Sequence, residues 1–330
     1  PRIEDSYDLG RPWPPRPGST REVFHRPTAS LRSVWAVSKA QAGEEALKRG
    51  VTAMQALDHP HILALLEVFE DGRQVFFVTE RCELTRLPDS LPRGTSLSEA
   101  QTALLLQQLL GAVQHMHERH LCHRNLQAGS LMLQGKGPVC AESVLKVAGL
   151  ELTCEFEPGR ALTTVCGAVG YMAPEVLDQD YGSQCDLWSC GVLSFYLLCG
   201  YLPFRGASDA EVARESYRGA FFFHPREWSR TTDEAKDLVR SLLRRKPSQR
   251  LTAAQALQHR WLAQALLGWR AAGAPPAQPS EGTERTAGPL DLELDTEPIV
   301  DGETSCPIHV HASRRPTLIK GLLAPDSCPA

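Results

Sequence analysis

The chain has no apolar run long enough to span a bilayer. The closest, from Leu187 to Cys199, is short and follows directly on Asp186, so no membrane span is expected. None of its ten cysteines forms a C-x-x-C pair, and several fall inside segments patterned as helix or strand. This spacing argues against a zinc ribbon or a redox motif and for reduced structural thiols in a cytoplasmic protein. A basic excess is also missing. The net charge of −4 and the pI near 6.3 give no electrostatic footprint for nucleic acid. Past Leu262 no stretch has the D-x-[DN]-x-[DN]-G spacing of an EF-hand loop, so no calcium site is expected there. What the sequence does have is length and core. Its 330 residues, 42% hydrophobic, suffice for one large domain or two of moderate size.

The chain is organised around Leu121 to Leu133, LCHRNLQAGSLML, a polar loop between apolar flanks that follows the long apolar helix Ser98 to Arg119. This loop resembles the catalytic loop of the eukaryotic protein kinases, H-R-D-L-x-x-x-N followed by a hydrophobic strand. His123, Arg124 and Leu126 match. Asn125 stands at the catalytic aspartate, Gln127 at a lysine and Ser130 at the metal-binding asparagine. A neutral amide does not take up a proton as a carboxylate does, so Asn125 is no general base.

The resemblance implies an α+β, bilobal fold. A small antiparallel-sheet N-lobe with one helix would stand on a larger helical C-lobe. The expected boundaries are an N-terminal extension over 1–6, the N-lobe over 7–80, a hinge over 81–84, the C-lobe over 85–262 and a disordered tail over 263–330. The tail expectation rests on its Ala, Gly, Pro, Ser and Thr content. The segments CDLWSCGVLSFYLLCGYLPF, AKDLVRSLLRRKPSQRLTAAQALQHRWL and LDHPHILALLEVFEDG are most similar to the calcium/calmodulin-dependent kinase group, nearest the calcium-dependent kinases of plants and protists.

Carried over residue by residue, the resemblance places losses at five positions. Ser38 in SVWAVS stands at the phosphate-positioning lysine, with Lys39 one step late and so on the opposite strand face. Gly50 stands at that lysine's glutamate partner. Asn125 and Ser130 have been named. Gly149, in the run Gly149-Leu150-Glu151, stands at the metal-binding aspartate. In place of the phosphate-cradling glycines the proline-rich stretch before Val23 offers Arg16, Gly18 and Arg21. The scaffold positions match: Ala173-Pro174-Glu175, the loop-capping Asp186, the arginine partner Arg250, and His123.

These substitutions imply a catalytically inactive kinase-like scaffold or regulator, with no catalytic residue, no metal site and no cofactor. It would bind a protein partner such as an active kinase or its substrate. The alternative is an active serine/threonine kinase using ATP and magnesium through substitutes such as Lys39 and Glu151. Between them stands a nucleotide-binding switch without transfer, its pocket drawn from Val23, Ala36, Thr79, Glu80, Cys82 and Met132. The plainer reading of these side chains is that they fill a closed cleft.

Overall fold

A computed structural model describes residues 2–10, 20–42, 44–81, 84–91, 96–134 and 138–271. Residues 82 and 83 of the expected hinge (Cys82 among them), Arg16 and Gly18 lie outside them.

The N-terminal part is a five-stranded antiparallel sheet with spatial order β1-β2-β3-β5-β4. Its strands are β1 (Tyr7–Asp8), β2 (Thr20–His25), β3 (Ser30–Ser38), β4 (Leu65–Glu70) and β5 (Gln74–Glu80). β5 is apolar on both faces from Val75 to Val78 because both faces are covered. On one face Val37, Val75 and Phe77 join the main core with Leu47, Met54 and Leu57 of helix α1 (Glu44–Gln55) and its exit. On the other, Val23, Val34, Ala36, Phe76 and Val78 pack around Ile3 and Tyr7. The segment expected as an N-terminal extension over 1–6 packs through Ile3 on the sheet's outer face.

The C-terminal part is helical. Helix α2 (Glu99–Glu118) begins on a capping box, Ser98 with Gln101, and buries Leu105, Leu106, Leu109, Val113 and Met116. Helix α3 (Gln184–Cys199) is buried on nearly every side, as its uniform apolarity requires, and stops at Gly200, φ +86°. Helix α4 (Asp233–Leu242) starts on the Thr232 cap and buries Ala235, Leu238, Val239 and Leu242.

The C-lobe boundary expected at Leu262 falls inside a helix, in keeping with a last helix that extends over 266–270. Helix α5 runs from Arg260 to Ala271. Trp261, Leu262 and Leu266 are buried in the core, and the Trp261 indole donates to Glu99 Oε2 at 2.6 Å. Just before α5, Thr252 caps a separate short helix, Ala253–Leu257. Among the described residues no helix is long and apolar enough to cross a membrane.

Candidate functional site

Asp186, the third residue of α3, organises the catalytic-loop region. Its carboxylate accepts from the backbone N–H of His123 and of Arg124, each at 2.9 Å, and from His117 Nε2 at 2.9 Å. Burial opposes its ionisation, but the His117 hydrogen bond, the nearby His123 and the Arg124 N–H outweigh it and hold the carboxyl below its ordinary value. The cap lets Arg124 adopt φ +66°, a left-handed conformation that a non-glycine residue avoids unless its surroundings fix it. His123 is buried, and burial lowers the pKa of its imidazole. Its Nδ1 accepts from the Asn125 N–H at 3.2 Å and its Nε2 lies 3.1 Å from the Ala148 carbonyl.

Asn125 and Gln127 form a neutral pair. Gln127 Nε2 donates to Asn125 Oδ1 at 3.4 Å, and the Ala168 N–H donates to the same oxygen at 3.2 Å. The first contact lies within the loop and the second ties it to the segment leading to Pro174, neither with a charge. Gly167 fits only as glycine: its φ is +103°, and a Cβ there would stand 2.5 Å from the Arg124 carbonyl.

Ser130 turns its hydroxyl inward. Oγ donates to the Gln127 carbonyl at 2.8 Å and accepts the Gln127 N–H at 3.0 Å. Gly149 takes φ +76°, and a Cβ on it would lie 3.2 Å from Ser130 Cβ. The nearest carboxylate is Glu151, whose two oxygens stand 3.9 Å from that Cβ position. Burial raises the Glu151 carboxyl above its ordinary value. Gly50 lies against the Glu151 backbone, 3.5 Å from its carbonyl to a built Cβ. A magnesium ion shared with phosphates requires oxygen ligands. Ser130 has spent its oxygen inside the loop, Gly149 has none, and Glu151 resists the charged form, so this donor set does not fit such an ion.

The strand register alters the expected nucleotide pocket. Facing residues of an antiparallel ladder share a sheet face. Ser33 faces Thr79, Val34 faces Val78, Trp35 faces Phe77 and Ala36 faces Phe76 without a bulge. Thr79 and Ala36 are thus on opposite faces. Ala36 and Val23 pack in the outer cluster with Ile3 and Tyr7, in keeping with the plainer reading that they fill space. Trp35 takes the inner face instead, stacked on Phe77 with ring centroids 4.3 Å apart and planes 10° from parallel. Ser38 ends β3 opposite Gln74, on the Ala36 face. Lys39 begins a helical turn and pairs with Glu70 Oε2 at 2.7 Å, away from Glu151. Glu80 pairs with Lys146 Nζ at 2.8 Å and accepts the Ala64 N–H at 3.1 Å. Met132 lies half-buried on a strand facing Lys146, its neighbours Leu131 and Leu133 pointing into the core.

The Trp35 inversion was missed in the sequence because SVWAVS alternates equally well in either register. The signal available was size: a tryptophan facing a β5 phenylalanine makes the larger buried pair.

Farther down, Glu175 and Arg250 make a buried two-point ion pair at 2.6 and 3.2 Å. Arg250 also donates to the Gln184 and Arg244 carbonyls and lies over the Trp188 ring, 5.2 Å from its centroid.

The protein kinase domain profile matches residues 17–262. The chain belongs to the protein kinase domain family. A probable myosin light chain kinase of Dictyostelium discoideum is 33% identical over 80% of this chain and 68% of its own length. Calcium-dependent protein kinase 3 of Plasmodium yoelii yoelii is 32% identical over 78% of the chain and 48% of its own length. Serine/threonine-protein kinase 33 of Mus musculus is 32% identical over 79% of the chain and 55% of its own length. The chain thus spans about half the length of the latter two relatives.

Proposed function

We propose that this chain is a protein-kinase-domain protein without phosphoryl transfer, acting as a scaffold or allosteric regulator on a protein partner such as an active kinase or its substrate. The observation that carries the reading is the Asn125–Gln127 amide pair beside Ser130 and Gly149. Proton acceptor and both metal ligands are replaced within one loop region, while Asp186, Glu175 and Arg250 keep the scaffold hydrogen-bonded. Loss of a general base alone lowers the rate by roughly 10²–10⁴, and the missing metal ligands remove electrostatic stabilisation beyond that. Under this reading no metal or cofactor is bound.

The test is thermal unfolding with millimolar ATP, with and without magnesium. A ligand at 100 times its Kd stabilises by about 2.7 kcal/mol, a shift of several degrees. The proposal expects no magnesium-dependent shift, and such a shift would overturn it.

A second reading, an active serine/threonine kinase, is favoured by the kinase names of the relatives. It requires Glu151 to supply the missing carboxylate. The two readings part at a Glu151→Gln variant, which removes transfer activity under the second and changes nothing catalytic under the first.

A further inference from the structure

On the surface of the C-terminal part lies an open cavity of about 530 Å³, lined by Phe221, Phe222, Phe223, Asp233, Lys236 and Arg240. Its two walls differ in chemistry. One is the aromatic run that follows Gly219. There Phe221 and Phe223 pack on Phe195, with ring centroids 6.0 Å apart in each case, while Phe222 stands 72% exposed. The other wall is one face of α4, where Asp233, Lys236 and Arg240 follow at helical spacing. Arg240 lies over the Phe223 ring, 4.8 Å from its centroid. The surrounding stretch from Arg218 to Arg245 holds seven cations against four carboxylates. A large exposed phenylalanine beside such a cationic edge is a surface suited to covering.

The same chain contains a segment of complementary chemistry. Residues 290–303 read LDLELDTEPIVDGE. Six carboxylates, Asp291, Glu293, Asp295, Glu297, Asp301 and Glu303, occur with no lysine or arginine. Leu290, Leu292 and Leu294 alternate with the first three acids. In extended conformation such an alternation puts leucines on one side and carboxylates on the other, matching a groove with an aromatic wall and a wall that carries Arg240 beside the Lys236–Asp233 ion pair, 3.6 Å apart.

We propose that the acidic, leucine-alternating segment 290–303 docks in cis into the Phe221–Arg240 groove. Eighteen residues, 272–289, follow the end of α5 at Ala271 before the segment begins. By coil statistics a tether of 18 residues spans about 23 Å r.m.s., and a short tether supplies an effective concentration on the order of millimolar. A segment of Kd about 0.1 mM would therefore be docked about nine-tenths of the time. The proposal is independent of whether phosphoryl transfer occurs.

The test is hydrogen–deuterium exchange of residues 290–303 in the full chain at low salt. Docking predicts exchange about tenfold slower than in the isolated 290–303 peptide, unchanged on diluting the protein. It also predicts that a zero-length carbodiimide couples Lys236 to a carboxylate of the segment within one chain. Arg240→Glu should abolish the protection. Combining it with Asp291→Lys, Glu293→Lys and Asp295→Lys should restore it. The tail triple alone, which leaves the folded part untouched, should lose it too. Peptide-like exchange in the full chain overturns the proposal. Protection that grows with protein concentration assigns the segment to a second copy and overturns docking in cis. Protection indifferent to Arg240→Glu places the segment on another surface and equally overturns it.

Discussion

Ala36 and Thr79 point to opposite faces of the same sheet. Their strands pair without a bulge between Arg32–Glu80 and Ser38–Gln74, and the two residues differ in parity within that register. Ala36 is fully buried among Ile3, Tyr7, Val23, Val34, Phe76 and Val78, while Trp35 faces inward on Phe77. An Ala36→Leu variant therefore overpacks the outer cluster and costs about 1–3 kcal/mol of stability, visible in chemical unfolding. Unchanged stability would place Ala36 on an open cleft instead.

The Asn125–Gln127 pair predicts the outcome of restoring one charge. Asn125→Asp keeps an acceptor for the Ala168 and Gln127 N–H groups. Its stability should stay within about 1 kcal/mol of the parent. Phosphoryl transfer should not appear, because Ser130 and Gly149 still offer no metal ligand. Turnover in this single variant would show a metal site the donor set does not provide.

Glu175 and Arg250 carry a different cost. The Arg250 side chain is fully buried and Glu175 nearly so. Arg250→Met leaves a buried carboxylate unpaired, at about 3–5 kcal/mol by denaturant unfolding. Removing both charges together, Arg250→Met with Glu175→Leu, should recover much of that loss, since the uncompensated charge is the main penalty.

Acid should weaken the contact between the Leu57–Ile62 turn and α2. His59 lies 5.0 Å from His115 and 5.5 Å from His61, ring centroid to centroid. Burial, then His115 and His61, then Arg119 and Lys146, push the His59 pKa down to about 4 from 6.5. His61 and His115 are lowered as well, first by burial. The unfolded chain thus binds the proton more readily than the folded one. Stability is full above about pH 6.5 and falls as pH drops toward 4. A His59→Asn variant keeps an acceptor for the His61 N–H, and its melting temperature should fall less over that interval. An identical pH profile in variant and parent would refute the assignment.

The bilobal architecture was legible through the family resemblance, and the motifs and helix signals beside it are local. The Ser98 and Thr232 caps, the uniformly apolar α3 and the Ala173-Pro174-Glu175 run each announce their own structure. The residues at the catalytic loop were legible for the same reason, being contiguous around His123. What stayed hidden depends on pairing between distant segments. The face that Ala36 takes is set by its β5 partner, the burial of Ile3 by a strand it is not joined to, and the extent of α5 by Glu99 and the core beneath it. Glu151 is a further case. Counting residues puts it two places past the metal-ligand position, yet the left-handed turn at Gly149 folds its carboxylate back beside that position.

The most direct test of the central claim is a single-turnover assay of γ-phosphate transfer from magnesium ATP, comparing the parent chain with Asn125→Ala. The account predicts indistinguishable rates at background, since the residue at that position accepts no proton in either protein. Transfer by the parent that falls by 10²-fold or more in Asn125→Ala, the scale of general-base loss, would contradict it and make this chain an active kinase.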